Sequence, residues 1–291
     1  MKMKRVYGLA ATAILFWSSV ATVTKLLMTN LSSVQVLSVS ALFATLFLLV
    51  ANAVTGRLRL LRSYRPRDYL RTVLIGLPGT FCYYMFYYAG ASMLPASQAF
   101  IINYLWPIMS VVFACLLLRE KMTPRKGLAI LLSFLGVAVV MGGGLFGGGE
   151  FSLLGAIFCV LGAISYGIYT ALNQKAHYDK MLSMMFYYGT AFLLTAVINL
   201  ALGDLPTLTL PVLLGLAYNG ILTMAVANTA WLLALSGGRT AKVSNLAYIT
   251  PFLSLIWTAI FLREEITLAS LLGLGIIVLG ILLQLGEGKK K

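Results

Sequence analysis

Ten apolar segments of about 20 residues each make up most of this 291-residue chain. A helix that crosses a membrane needs about 20 consecutive apolar residues. Hydrophobic residues make up 60% of the chain and charged residues only 10%, far from the composition of soluble domains. The sequence therefore predicts an all-α integral membrane protein with ten transmembrane helices. The predicted spans are 7–28, 34–54, 70–92, 98–118, 127–145, 151–173, 182–202, 211–235, 241–262 and 268–285.

Part of the fourth predicted helix and its following loop recurs in the ninth helix, 144 positions later. The identical pairs are Tyr104 and Tyr248, Pro107 and Pro251, Ser110 and Ser254, Leu118 and Leu262, Arg119 and Arg263, Glu120 and Glu264, Thr123 and Thr267, and Gly136 and Gly280. The copies lie an odd number of segments apart, so the second crosses the membrane in the opposite direction. We predict two inverted five-helix repeats around a central cavity, an arrangement typical of transporters. Their predicted bounds are 1–145 and 146–291, and the glycine-rich stretch 142–150 connects them.

The positive charges predict the orientation of the helices. With the N-terminus inside the cell, twenty Lys and Arg residues lie on the inner side and only Lys25 and Arg263 on the outer side. Inner loops of membrane proteins carry such an excess of positive charge. We therefore expect a multi-pass protein of the cell (inner) membrane with both termini in the cytoplasm. The arginine-rich loop 57–71 is expected to contact anionic lipid headgroups rather than nucleic acid.

Few residues in the predicted spans could perform acid–base or metal chemistry. All eight acidic residues lie in loops or at the membrane edges, and the only histidine, His177, lies in a loop. The three cysteines have unrelated spacings. We therefore expect no enzyme activity, no metal site and no cofactor, and coupling to protons through a buried Asp or Glu is disfavoured.

Aromatic and amide side chains instead concentrate near the centres of the spans. Polar aromatic residues at that depth need partners in the bundle or in a wet cavity. Each one alone is more often a packing residue, but as a set they favour a substrate-binding cavity. The candidate residues are Trp17, Ser18, Tyr83, Tyr84, Tyr87, Asn103, Tyr104, Trp106, Ser165, Tyr166, Tyr169, Asn228, Trp231, Asn245 and Tyr248.

Pro107 and Pro251 fall inside the fourth and ninth predicted helices. Each proline lacks an amide hydrogen, so the carbonyl four residues earlier, on Asn103 or Ala247, loses its helical partner. Such a break can serve packing alone. Because it recurs in both copies, we predict that both prolines take part in gating, and that the half-helices beyond them face substrate.

These features together resemble the EamA branch of the drug/metabolite transporter superfamily over essentially the whole chain. The resemblance rests on Phe16-Trp17-Ser18-Ser19 with Lys25, and on the spacing from Pro107 to Glu120 and from Pro251 to Glu264. The segment 103–107 is also similar to the bacterial aromatic amino-acid exporters of that branch. The resemblance implies a basket of ten helices that exports small metabolites by alternating access. Trp106 is Thr250 in the second copy, so the cavity cannot be two-fold symmetric.

The leading hypothesis is therefore an exporter of small zwitterions, most of all neutral or aromatic amino acids. A multidrug exporter of aromatic cations, a membrane partner or sensor that transports nothing, and an uptake carrier are the alternatives. We expect a small-molecule substrate and a monomer. Small residues such as Ala163 and Gly167 could also face a second copy.

Overall fold

The structure is a computed structural model that describes residues 3–146, 152–176, 178–203, 205–235 and 246–285. Helices account for nearly all of these residues. The α-helices are α1 (Met3–Ser18), α2 (Val20–Leu27), α3 (Ser33–Val54), α4 (Pro66–Leu77), α5 (Tyr83–Met93), α6 (Ala96–Asn103), α7 (Trp106–Leu118), α8 (Pro124–Phe146), α9 (Leu153–Gln174), α10 (Lys180–Leu202), α11 (Leu210–Ala217), α12 (Ala227–Leu235), α13 (Thr250–Leu262) and α14 (Leu268–Leu285). The 3₁₀ segments are Arg57–Ser63 and Ala247–Ile249, and the π-helical segments are Pro78–Cys82 and Tyr218–Val226.

Seven helical stretches in the described ranges are long and apolar enough to cross a membrane. They are Lys4–Leu27, Ser33–Val54, Ala96–Leu118, Pro124–Gly143, Leu153–Gln174, Lys180–Leu202 and Leu210–Ala234. The ninth and tenth predicted spans correspond to two shorter apolar helices, Ala247–Leu262 and Leu268–Leu283. The third corresponds to α4, the π segment and α5, which are not among the seven. The chain is thus a multi-pass membrane protein, and the count of ten spans stays a prediction.

Local chemistry explains where several helices begin and end. The Ser32 hydroxyl accepts from the backbone N–H of Gln35, whose side chain accepts from the Ser32 backbone in return. This capping box starts α3. Thr123 and Thr267 accept from backbone amides three residues later and thereby cap the starts of α8 and α14.

The third and eighth predicted spans each contain a π-helical segment, and the two segments occupy corresponding positions in the two copies. Extra residues in a helix loosen the regular hydrogen-bond ladder and often mark functional positions. Side-chain hydrogen bonds to neighbouring helices stabilise both π-helical segments. Thr80 donates to the carbonyl of Tyr187 at 3.1 Å, and Asn219 donates to the Tyr88 hydroxyl at 2.9 Å.

Glycines let neighbouring helices approach closely at several positions. A Cβ added at Gly167 on α9 would lie 2.6 Å from the backbone of Met109 on α7. Gly273 on α14 lies equally close to α8, whereas Gly275 has open space around it. In a membrane, such contacts supply the packing that holds helices together.

Candidate functional site

A cavity of about 90 Å³ lies where the breaks before α7 and α13 meet α1, α5, α9, α10 and α12. That volume holds several water molecules, since each needs about 10–15 Å³ in this measure. Its wall consists of Trp17, Val20, Gly79, Thr80, Tyr83, Tyr84, Phe100, Asn103, Tyr104, Trp106, Tyr166, Tyr169, Met184, Tyr187, Tyr188, Asn228, Ala247 and Thr250. Not one of these lining residues is charged. Among the residues that the structure describes, no cluster of His, Cys, Asp and Glu could hold a metal ion.

The cavity brings together many of the residues selected from the sequence. Those on its wall are Trp17, Tyr83, Tyr84, Asn103, Tyr104, Trp106, Tyr166, Tyr169 and Asn228. The first repeat and the second repeat both contribute, as expected for a site between two bundles.

Other predicted site residues lie outside the wall. Ser18 is buried and accepts from the indole nitrogen of Trp257 at 2.9 Å. Trp231 packs behind the wall, 5.3 Å from Trp17 between ring centroids. Tyr87 is fully buried among neighbouring rings. The remaining predicted residues off the wall are Ser165 and Tyr248, and Asn245 lies outside the described residues.

Half of the residues that line the cavity were not among those predicted from the sequence. The lining residues that the prediction missed are Val20, Gly79, Thr80, Phe100, Met184, Tyr187, Tyr188, Ala247 and Thr250. The adjacent pair Tyr187 and Tyr188 near the start of the seventh span was a usable signal, because it matches the tyrosine pairs of the third span. The aliphatic and small residues carried no such signal.

Aromatic rings form a continuous wall along one side of the cavity. Trp106 and Tyr166 lie 5.1 Å apart with their planes at 74°. Tyr166 in turn contacts Tyr83 at 4.9 Å and Tyr169 at 5.4 Å. Steeply tilted ring pairs are favourable and leave some ring faces turned toward the enclosed space. An apolar or aromatic substrate side chain can stack on such a surface.

The two helix breaks predicted from Pro107 and Pro251 are both present. Helix α6 ends at Asn103, and α7 restarts at Trp106 with Pro107 in its first turn. In the second copy the 3₁₀ segment precedes α13, whose first turn contains Pro251.

The carbonyl group freed by Pro251 already has a protein partner. The Tyr104 hydroxyl donates to the carbonyl oxygen of Ala247 at 2.8 Å, across the two copies. The corresponding pair, the Tyr248 hydroxyl and the Asn103 carbonyl, forms no hydrogen bond in the described structure. Of the two carbonyls that lose a helical partner, that of Ala247 thus accepts from the Tyr104 hydroxyl and from the Thr250 backbone N–H, and that of Asn103 has no side-chain donor among the described residues.

Lys25 contacts backbone carbonyl groups of the protein. Its ammonium donates to the carbonyl oxygens of Ala91 at 2.9 Å and Leu94 at 2.7 Å. These carbonyls end α5, where a positive charge is favourable. Lys25 thus ties α2 to the turn between α5 and α6.

Glu264 stabilises the other side of the same turn. Its carboxylate accepts from the backbone amides of Ala96 at 2.6 Å and Ser97 at 2.9 Å, at the start of α6. Its counterpart Glu120 instead forms a partly exposed ion pair with Lys126. The pattern of repeated glutamates therefore conceals two different roles.

The basic loop carries one ion pair and several exposed arginines. Arg57 binds Asp179, which also caps α10. Burial raises the pKa of the nearby Tyr64, so its phenol stays neutral at physiological pH. Arg59, Arg62, Arg65, Arg67 and Arg71 have exposed side chains.

A helical membrane protein with an internal cavity, whose described lining residues are all uncharged, is the class that this fold and site define. Comparison with known proteins identifies the group within that class. The sequence profile of the EamA-like transporter family matches residues 4–142 and again 153–286. The chain belongs to the EamA-like transporter family, a family of transporters and not of enzymes.

Its relatives are mostly transporters of undefined substrate. An uncharacterized transporter of Bacillus subtilis, YvbV, is 28% identical over 67% of this chain and 64% of that protein. An uncharacterized transporter of Archaeoglobus fulgidus is 24% identical over 96% and 98% of the two chains. The aromatic amino acid exporter YddG of Ancylobacter novellus is 26% identical, over only 34% of this chain and 36% of that protein.

The fold also matches a solved crystal structure. The superposition has a TM-score of 0.68 and covers 98% of this chain and 97% of the other. The sequence identity is 21%, so the match shows the shared fold.

Proposed function

We propose that this transporter exports small zwitterionic metabolites, above all neutral or aromatic amino acids, from the cytoplasm by alternating access. The aromatic cavity, in which every described lining residue is uncharged, is the observation that carries the proposal. A wall without fixed charge cannot neutralise a strongly charged solute, whereas a zwitterion has no net charge to neutralise. Its apolar side chain can stack on Trp106, Tyr166 and their neighbours.

The proposed movement uses the two copies as units. Ten spans in two inverted five-helix repeats would place the cavity at their interface, and rocking of one repeat against the other would open it to each side in turn. The breaks at Pro107 and Pro251 adjoin the cavity, so a change in either break would reshape the wall directly.

The proposed orientation has both termini in the cytoplasm of the cell (inner) membrane, with the protein acting as a monomer. The exposed arginines between Arg59 and Arg71 then face the cytoplasmic leaflet, where anionic lipids attract basic segments by about 1 kcal/mol per residue. This contact would anchor the inner ends of α3 and α4.

Counterflow with purified protein in liposomes tests the function. Liposomes loaded with unlabelled amino acid are expected to accumulate labelled phenylalanine or another neutral amino acid. Tyr166→Ala, which removes a central ring of the wall, should lower the initial rate about tenfold or more, a loss of roughly 1.4 kcal/mol. Tyr7→Ala makes the same change at an exposed position and should transport normally.

Two results would overturn the proposal. Absence of flux for every neutral amino acid would exclude the substrate class, and flux of cationic dyes alone would favour a multidrug exporter. Equal transport rates for the Tyr166 and Tyr7 variants would show that the cavity does not lie on the transport path.

A further inference from the structure

Two buried polar atoms of residues that line the cavity have no hydrogen-bond partner. Several buried side-chain nitrogen and oxygen atoms of the described residues are unpaired, but among them only Asn103 Oδ1 and Thr250 Oγ1 belong to lining residues. Both residues are 3% exposed. A buried polar atom without a partner is costly, so an unpaired atom beside a cavity points to a ligand that completes it.

Thr250 has the chemistry of a carboxylate site. It is the first residue of α13, and Pro251 follows it. The 3₁₀ segment Ala247–Ile249 runs directly into α13, and the backbone N–H of Thr250 donates to the Ala247 carbonyl oxygen. The Thr250 hydroxyl, in contrast, makes no hydrogen bond. It remains able to donate to a carboxylate oxygen.

Asn103 has the chemistry of an ammonium site. It is the last residue of α6, at the end of a helix where the partial charge is negative. Its amide nitrogen donates to the Tyr83 hydroxyl at 3.0 Å, which leaves the side-chain oxygen as a free acceptor. Its backbone carbonyl also lacks a helical donor, because Pro107 has no amide hydrogen.

We propose that Thr250 binds the α-carboxylate and Asn103 the α-ammonium of the transported amino acid. The proposal rests on the function proposed above and assigns its two polar contacts. Each residue has a counterpart of different chemistry in the other copy, since Asn103 corresponds to Ala247 and Thr250 to Trp106. The cavity therefore has one donor side and one acceptor side, and it holds the zwitterion in a single orientation.

Three related compounds test the assignment in the same liposomes. Phenylalanine has both charged groups, phenylalaninamide lacks the carboxylate and 3-phenylpropionate lacks the ammonium. Inhibition of labelled phenylalanine counterflow by each compound gives its apparent affinity. Thr250→Val removes the hydroxyl at nearly constant shape, and Asn103→Leu does the same for the amide.

The expected result is a crossed pattern. Thr250→Val should weaken phenylalanine and 3-phenylpropionate roughly tenfold and leave phenylalaninamide unchanged, as expected for loss of a hydrogen bond to a charged group. Asn103→Leu should weaken phenylalanine and phenylalaninamide and leave 3-phenylpropionate unchanged. Thr250→Ser keeps the hydroxyl and should restore the wild-type pattern.

Other outcomes separate the two proposals. If each variant weakens all three compounds by one factor, the residues act only in packing and the assignment fails while the transport function stands. If the wild-type protein moves no amino acid, the proposed function fails first. Thermal unfolding of each variant in detergent checks that the protein remains folded.

Discussion

Two of the regions in which the copies meet differ in symmetry: one has the two-fold relation of the sequence repeat and the other does not. A Cβ added at Gly136 on α8 would lie 2.6 Å from the carbonyl oxygen of Gly273 on α14. One added at Gly280 would lie 2.8 Å from the carbonyl oxygen of Ala129. A shift of 144 positions converts one contact into the other, so the two glycine contacts that form the α8–α14 seam are equivalent.

The helix breaks beside the cavity are not matched. Tyr104 holds the carbonyl of Ala247, but Tyr248 does not hold that of Asn103. Glu264 binds two backbone amides, whereas Glu120 binds a lysine. The seam thus retains the two-fold relation of the sequence. The break beside the cavity does not, and the zwitterion that we propose as substrate, with two different ends, would require unlike walls there.

Because the two seam contacts are equivalent, substitutions at their glycines should give the largest losses of stability, and equal ones. Gly136→Ala and Gly280→Ala should each destabilise the protein by about 3 kcal/mol, the upper end for overpacking, because the new methyl group meets a backbone carbonyl that cannot rotate away. Thermal unfolding in detergent measures the loss. Gly275→Ala lies on the same helix with nothing within 4 Å and should be neutral or slightly stabilising.

A large loss at only one of the two glycines would show that the seam is not symmetric. A loss at Gly275 equal to the others would mean that helix propensity or detergent contact, and not the close approach, determines the result.

The repeated glutamates should give an unequal pair. Glu264→Ala removes two charge-assisted hydrogen bonds to the start of α6 and should cost about 2 kcal/mol. Glu120→Ala removes a partly exposed ion pair and should cost less than about 1 kcal/mol. The same unfolding measurement compares the two, and equal losses would contradict the different roles that the structure assigns to them.

The sequence predicted the features that follow from local chemistry. Proline at 107 and 251 removes an amide in any surroundings, and threonine before a helix caps it, so both were accessible without a fold. The aromatic content of the third and sixth spans likewise indicated a polar interior surface.

Side-chain direction was less accessible. Helical spacing groups Tyr84, Tyr87 and Tyr88 on one face, but it does not say which residue of that face reaches the cavity and which packs against a neighbour. Tyr188 and Thr250 reach the wall through the rotation of whole helices, which depends on packing between distant segments. The sequence showed Thr250 only as the residue that replaces Trp106 in the second copy. That its hydroxyl has no hydrogen-bond partner follows only from the structure.

The smallest expected effect distinguishes the two equivalent tyrosines. Tyr104→Phe keeps the ring but removes one of the two donors to the Ala247 carbonyl, the other being the Thr250 backbone N–H, at a cost of about 1 kcal/mol. Tyr248→Phe removes a hydroxyl that makes no hydrogen bond in the described structure and should leave the unfolding temperature unchanged. If both variants lose equal stability, the Tyr248 hydroxyl also has a partner, and the asymmetry of the breaks disappears. If only Tyr104→Phe is destabilised, the hydrogen bonds at the two breaks differ in the protein as they do in the structure, and the two-fold relation of the sequence ends at the cavity.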